Sequence, residues 1–275
     1  MIYAKPSQFY GEGLNLPPQT TQMDNQGYIK TETANGIARI TFFHPQSNSM
    51  PGHLLRELAA AIETAGKDDN ARVIIMQSEG EKAFCAGASF DELISIKDFE
   101  TGKKFFSGFA AVINAIRKAP KFVIARVQGK AVGGGVGLAS AADYSLAMDT
   151  ASVKLSELAV GIGPFVVGPA VERKVGTSAF TNLAINATEW RDANWAYHNG
   201  LYTDLYSSMN ELNSAVDALA NRLAASNPEA MMMLKKVFWQ GTDHWDTLLI
   251  ERAEMSGKLV LSEFTVNAIN KFKGK

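Results

Sequence analysis

Cysteine is almost missing from this chain: Cys85 is the single one in 275 residues. One thiol cannot close an intramolecular disulfide, so no disulfide framework holds the fold, and the count fits a reducing compartment. Histidine is scarce too. His44, His53, His198 and His244 are scattered without metal-ligand spacing, so no metal centre is expected. Neither sign of charge dominates: 27 Lys and Arg face 28 Asp and Glu. That balance offers no basic face to a nucleic acid. No apolar run is long enough to span a bilayer. The opening stretch MIYAKPSQFYGEGLNLPPQTTQ has neither the apolar core of a signal peptide nor the Arg-rich, acid-poor character of a transit peptide. Together these absences predict a cytoplasmic protein with no membrane or nucleic-acid partner.

What is present suits a globular α/β protein of one domain. Residues 1–25, with Pro6, Pro17 and Pro18, are expected to form an irregular arm. Order is expected from Tyr28. Asn35-Gly36 between two β-prone runs signals a hairpin. Pro51 suits a first helical turn, and Leu54, Leu55, Leu58, Ala61 and Ile62 then make one apolar helix face. ARVIIMQS, KFVIARV and DYSLAMD read as strands. A longer helix carries Phe105, Phe106, Phe109, Val112, Ile113 and Ile116, and Ser89 to Glu92 has capping-box spacing. From about Gly168 onward every segment reads as helix. Residues 26–205 are therefore expected to form the core, and 206–275 a helical C-terminal region of the same domain.

The segment VQGKAVGGGVGLASAADYSLA places Gly133, Gly134 and Gly135 between a strand and a helix. That is the context of phosphate loops, but the details exclude them. A Walker loop would end in Gly-Lys-Ser/Thr, and the third glycine of a dinucleotide fingerprint would fall on Leu138. Two readings remain: close helix–strand packing, or backbone N–H groups left unpaired to hold a developing oxyanion. A second small-residue loop, FCAGAS, also joins a strand to a capped helix. Two such loops can aim one N–H each at a shared oxygen.

FCAGASFDEL, VQGKAVGGGVGLASAADYSLA and LSELAVGIGP, in this order, resemble the crotonase superfamily, the enoyl-CoA hydratase/isomerase group. HPQSNSM, WRDANWAYHNGL and NPEAMMMLKK extend the resemblance from about Tyr28 to the C-terminus. It implies a spiral of ββα units followed by a helical trimerisation region, assembled as a trimer or a dimer of trimers. It implies an acyl-CoA substrate whose thioester oxygen lies between the N–H groups of Ala88 and Gly134, with Ala86, Gly87 and Ala88 also passing the adenine end of CoA. CoA would arrive as part of the substrate, so no separate cofactor is expected. Hydratases of the group work with two glutamates. Glu157 matches one of them, and the slot of the other is Gly137.

One carboxylate suits an isomerase, which removes an α-proton and returns it at the γ-carbon. The pairing of GGGVGLASAAD with KLSELAVGIGP instead resembles 3-methylglutaconyl-CoA hydratases of leucine breakdown. The hydratase therefore comes first and the isomerase second. An acyl-CoA-binding module that has lost its chemistry, and a thioester hydrolase, are the further alternatives. In an apolar pocket Glu157 would have its pKa raised toward neutrality. Other conspicuous residues have structural readings. Cys85 is assigned to the core, Asp143 to capping or pairing, and Asp91 and Glu92 to helix capping. Met231, Met232 and Met233 are assigned to packing, and Lys271, Lys273 and Lys275 to a solvated tail.

Overall fold

Asn35 and Gly36 take φ of 52° and 79°, the left-handed pair that a two-residue hairpin needs. They join β1 (Tyr28–Ala34) to β2 (Ile37–Phe43), antiparallel with Ala34 opposite Ile37. In this computed structural model Met1 and residues 26–273 are described; the expected arm, at residues 2–25, lies outside the described residues. From β2 the large sheet continues through parallel neighbours: β3 (Val73–Ser78), β5 (Phe122–Val127), β7 (Tyr144–Met148) and β10 (Asp204–Tyr206). A small sheet pairs β4 (Ala83–Cys85), β6 (Lys130–Val132), β8 (Ser152–Lys154) and β9 (Arg191–Asp192).

Each turn of the chain adds one strand to each sheet and then a helix. β3 and β4 lead to α2 (Phe90–Ser95) and α3 (Phe99–Lys118); β5 and β6 lead to α4 (Gly134–Ala141); β7 and β8 lead to α5 (Gly168–Ile185). This is the crotonase spiral of ββα units. Strands β3 and β5 are buried on both faces, which is why VIIMQS and FVIARV are nearly continuous apolar runs.

The helices follow their apolar stripes. In α1 (Gly52–Lys67), Leu54, Leu55, Leu58 and Ile62 are fully buried and Ala61 is half-buried. All six apolar residues expected on α3 are buried. The remaining helices are α6 (Ala193–His198), α7 (Met209–Ala224), α8 (Pro228–Phe238), α9 (Trp245–Leu259) and α10 (Glu263–Lys273). None of the described helices is long and apolar enough to cross a membrane.

Three sequence expectations need correction. The chain after Gly168 is not all helix: β9 and β10 lie within it, each too short to show a period-2 pattern. The helical reading also breaks near the C-terminal end, where a turn at residues 260–262 separates α9 from α10. The capping box closes on one side only. Ser89 Oγ accepts the Glu92 N–H at 3.4 Å, but the Ser89 N–H goes to the Met50 carbonyl, and Glu92 Oε2 accepts the Gly52 N–H at 2.6 Å. Glu92 thus caps α1, whose N-cap position is the proline Pro51 and has no side-chain acceptor of its own.

α10 packs back onto the core. Gly161, at φ 84°, sits so close beneath it that a Cβ there would lie 2.5 Å from Phe264 Cδ1 and 2.6 Å from Thr265 Oγ1. Thr265 is fully buried by this contact. Asp143 organises another tertiary joint: its carboxylate pairs with the buried Lys235 of α8 and accepts Trp239 Nε1–H at 2.9 Å and the Val123 N–H at 2.8 Å. Asp143→Ala leaves that lysine buried without its counter-charge, so a loss of about 3–5 kcal/mol is expected. Urea unfolding should show it as a lower midpoint at unchanged slope.

Candidate active site

The first loop of the site is built by strand-like pairing. Residues 44–50 run beside 86–89: the Ala86 N–H donates to Ser47 O at 3.1 Å, the Met50 N–H to Gly87 O at 2.7 Å, and the Ser89 N–H to Met50 O at 3.2 Å. The Gly87 carbonyl and the Ser89 N–H both bond Met50, so the Ala88 N–H between them points away from it, and it donates to no described residue. Asn48 holds the bracing loop in place. Its side chain accepts the His44 N–H and donates to Glu79 O and Ala83 O, all at 2.8–3.0 Å.

The second loop ends in a helix. Gly133, with φ 51° and ψ −114°, turns the chain from β6 into α4. Its carbonyl accepts the Val136 and Gly137 N–H groups. The Gly134 N–H, in the first turn of α4, donates to no described residue, as expected for a helix N-terminus without a side-chain cap.

Ala88 and Gly134 line one cavity of about 140 Å³, together with Ala86, Gly87 and Glu157. All five predicted site residues are thus brought together. The turn Leu158–Val160 presents Glu157, whose carboxyl lies against Gly133: a Cβ on that glycine would stand 2.9 Å from Oε1. Oε2 is shut off from solvent and has no hydrogen-bond partner among the described residues. Loss of solvation pushes the Glu157 carboxyl up to about 7, with a bond from its own backbone N–H working weakly the other way. Chemically, the cavity combines two unpaired donors, able to hold an oxygen that gains negative charge, with one acid that can give or take a proton near neutrality.

Gly137 faces the side chain of Val167, where a Cβ would lie 2.4 Å from Cγ1. Valine fills the slot in which a second carboxylate would stand. Val167, Phe109 and Ser256 all line the cavity and escaped the sequence reading. They come from α3, α9 and the lead-in to α5, and no local motif marks them. The expected structural roles hold only in part. Cys85 is buried, with its thiol pushed up to about 12. Asp91 accepts a bond from Gln46 rather than capping its helix. Met231 is buried, Met232 half-buried and Met233 exposed, and none of them reaches the cavity. Lys271 is exposed; the side chain of Lys273 and all of Lys275 lie outside the described residues.

A ββα spiral that turns two backbone donors and one buried acid into a shared apolar cavity defines a crotonase-class protein. The family model described as enoyl-CoA hydratase/isomerase matches residues 32–270, and the chain belongs to that family. It is 28% identical to a probable enoyl-CoA hydratase of Bacillus subtilis, over 87% of this chain and 93% of that protein. It is 32% identical to the mitochondrial methylglutaconyl-CoA hydratase of Homo sapiens, over 71% of this chain and 58% of that one. The crystal structure of an enoyl-CoA hydratase from Bacillus halodurans has the same fold, with a TM-score of 0.82 at 21% identity, covering 89% of this chain and 99% of that chain.

Two outcomes test the geometry. Between the ordinary carboxylate value near 4.5 and about 7, the folded protein holds the Glu157 proton and the unfolded chain does not. Its contribution to stability is therefore fully present below about 4.5 and is lost as pH rises through 7. Glu157→Gln should match the parent at pH 4.5 and exceed it by on the order of 3 kcal/mol at pH 8. Parallel pH curves in urea unfolding would contradict the buried acid. Gly137→Ala should cost about 1–3 kcal/mol through overpacking. Val167→Ala in the same chain should recover about 1 kcal/mol or more of that in a double-mutant cycle.

Proposed function

We propose that this protein adds water to, and removes it from, the double bond of a 2-enoyl-CoA thioester. The observation that carries the reading is that Ala88 and Gly134, whose N–H groups donate to no described residue, line one cavity with Glu157. In this reading the thioester oxygen lies between the two donors. As a water oxygen bonds C3, the C2–C3 π electrons move toward the carbonyl, and the donors stabilise the enolate that forms. Glu157 takes the proton from the water and returns it to C2, so one water is added and the acid is regenerated. A carboxyl near 7 populates both forms at neutral pH. CoA enters as part of the substrate along Ala86, Gly87 and Ala88, and no separate cofactor is needed. The names of the relatives, hydratases for the most part, support this assignment.

Val167 in the Gly137 slot favours a second reading. With a single acid, the site can also shift a 3-enoyl double bond to the 2-position, taking a proton from C2 and returning it at C4. Exposed Met233, Leu234, Val237 and Phe238 on α8, and Phe264 and Val266 on α10, support assembly of copies as a trimer or a dimer of trimers.

The test uses a 2-enoyl-CoA and a 3-enoyl-CoA, with product mass followed for the parent protein and Glu157→Gln. Gain of one water on the 2-enoyl substrate, falling about 100-fold or more in the mutant and governed by an apparent pKa near 7, is the expected result. A double-bond shift without change of mass would establish the isomerase instead. Release of free CoA thiol, or no turnover of any enoyl-CoA, would overturn both.

A further inference from the structure

Among the described residues, Glu157 is the sole titratable side chain lining the cavity. Apart from it, the polar side chains there are the hydroxyls of Ser156 and Ser256, and Ser256 Oγ is turned to the Arg252 carbonyl at 3.3 Å. The rest of the wall is backbone and apolar, with Phe90, Phe106, Phe109 and Phe165 its largest groups. From this lining we infer that the site selects a short acyl group without charge and rejects one bearing a second carboxylate. The inference rests on the acyl-CoA reading above and narrows it.

The reasoning is electrostatic first. A carboxylate on the acyl chain would leave water for a cavity whose described wall offers no lysine, arginine or histidine, and it would face the Glu157 carboxyl. An unpaired buried charge costs several kcal/mol. A glutaconyl group carries just such a charge, so this wall argues against the substrate for which the methylglutaconyl-CoA relative is named. Size adds a second limit. A cavity of about 140 Å³ compares with the roughly 150 Å³ apolar cavity that accommodates benzene in another protein. The thioester at Ala88 and Gly134 takes part of that space, so the acyl group the cavity accepts is short, at most about six carbons. Each methylene that enters should improve binding about fourfold, and those beyond the cavity should add nothing.

Saturated thioesters separate this inference from the chemistry, because they bind but have no double bond to hydrate. Titration calorimetry of the full chain with CoA, butyryl-CoA, hexanoyl-CoA, decanoyl-CoA and glutaryl-CoA reads the selection directly. Expected are affinity rising about 15-fold from butyryl to hexanoyl, a plateau within about threefold to decanoyl, and glutaryl at least about 30-fold weaker than butyryl. Glutaryl-CoA binding as tightly as butyryl-CoA would overturn the charge selection. Affinity climbing steadily to decanoyl would overturn the size limit. Acyl-CoAs that bind no better than CoA itself would overturn the assignment of this cavity to the acyl group. The expected pattern without turnover of 2-enoyl-CoA would sustain the inference while removing the proposed reaction.

Discussion

Gly133 turns the chain from the small sheet into α4 within a single residue, at a φ of 51° and a ψ of −114° that a residue with Cβ rarely adopts. Two consequences meet at that point. Glycine at the N-cap has no side chain to offer, so α4 starts uncapped, with the Gly134 N–H unpaired among the described residues at the cavity wall. The space left by the missing methyl group is where the Glu157 carboxyl comes to rest. Donor and acid are therefore set by one backbone conformation, and neither can shift without disturbing the other.

The opposite wall is fixed in a different way. There the donor is the leftover N–H of a short parallel pairing: the Gly87 N–H before it is spent on Cys85 Sγ and the Ser89 N–H after it on Met50 O. Asn48 anchors the partner strand through its three bonds. An oxygen held between such donors meets dipoles that need no reorganisation as charge develops. Val167 completes the arrangement by occupying the position that would hold a second acid. One carboxyl is chemically sufficient for hydration provided that the proton it takes is the proton it returns.

Much of this was legible in the sequence because the signals were local. Asn35-Gly36, the apolar face of α1 and the aromatic face of α3 each declare themselves within one or two turns of chain. The two small-residue loops were readable as a pair, since glycine and alanine in both places allow close approach of backbone to a ligand. What stayed hidden depends on distant packing. LSELAVGIGP marked Glu157 itself, but the walls that shut its carboxyl away from water come from distant elements. Glu92 has the spacing to cap its own helix, yet the loop at Met50 takes the Ser89 N–H and leaves the carboxylate to Gly52. Val167 and Gly137 meet across α4 and α5, a contact that no motif spells out.

The docking of α10 on Gly161 has a consequence for biosynthesis. The turn that presents Glu157 is held from above by Phe264 and Thr265, more than 100 residues further along the chain. During translation both donor loops and Glu157 itself therefore leave the ribosome well before the helix that buttresses the acid. A nascent chain can thus hold both donors while its acid is still unsupported.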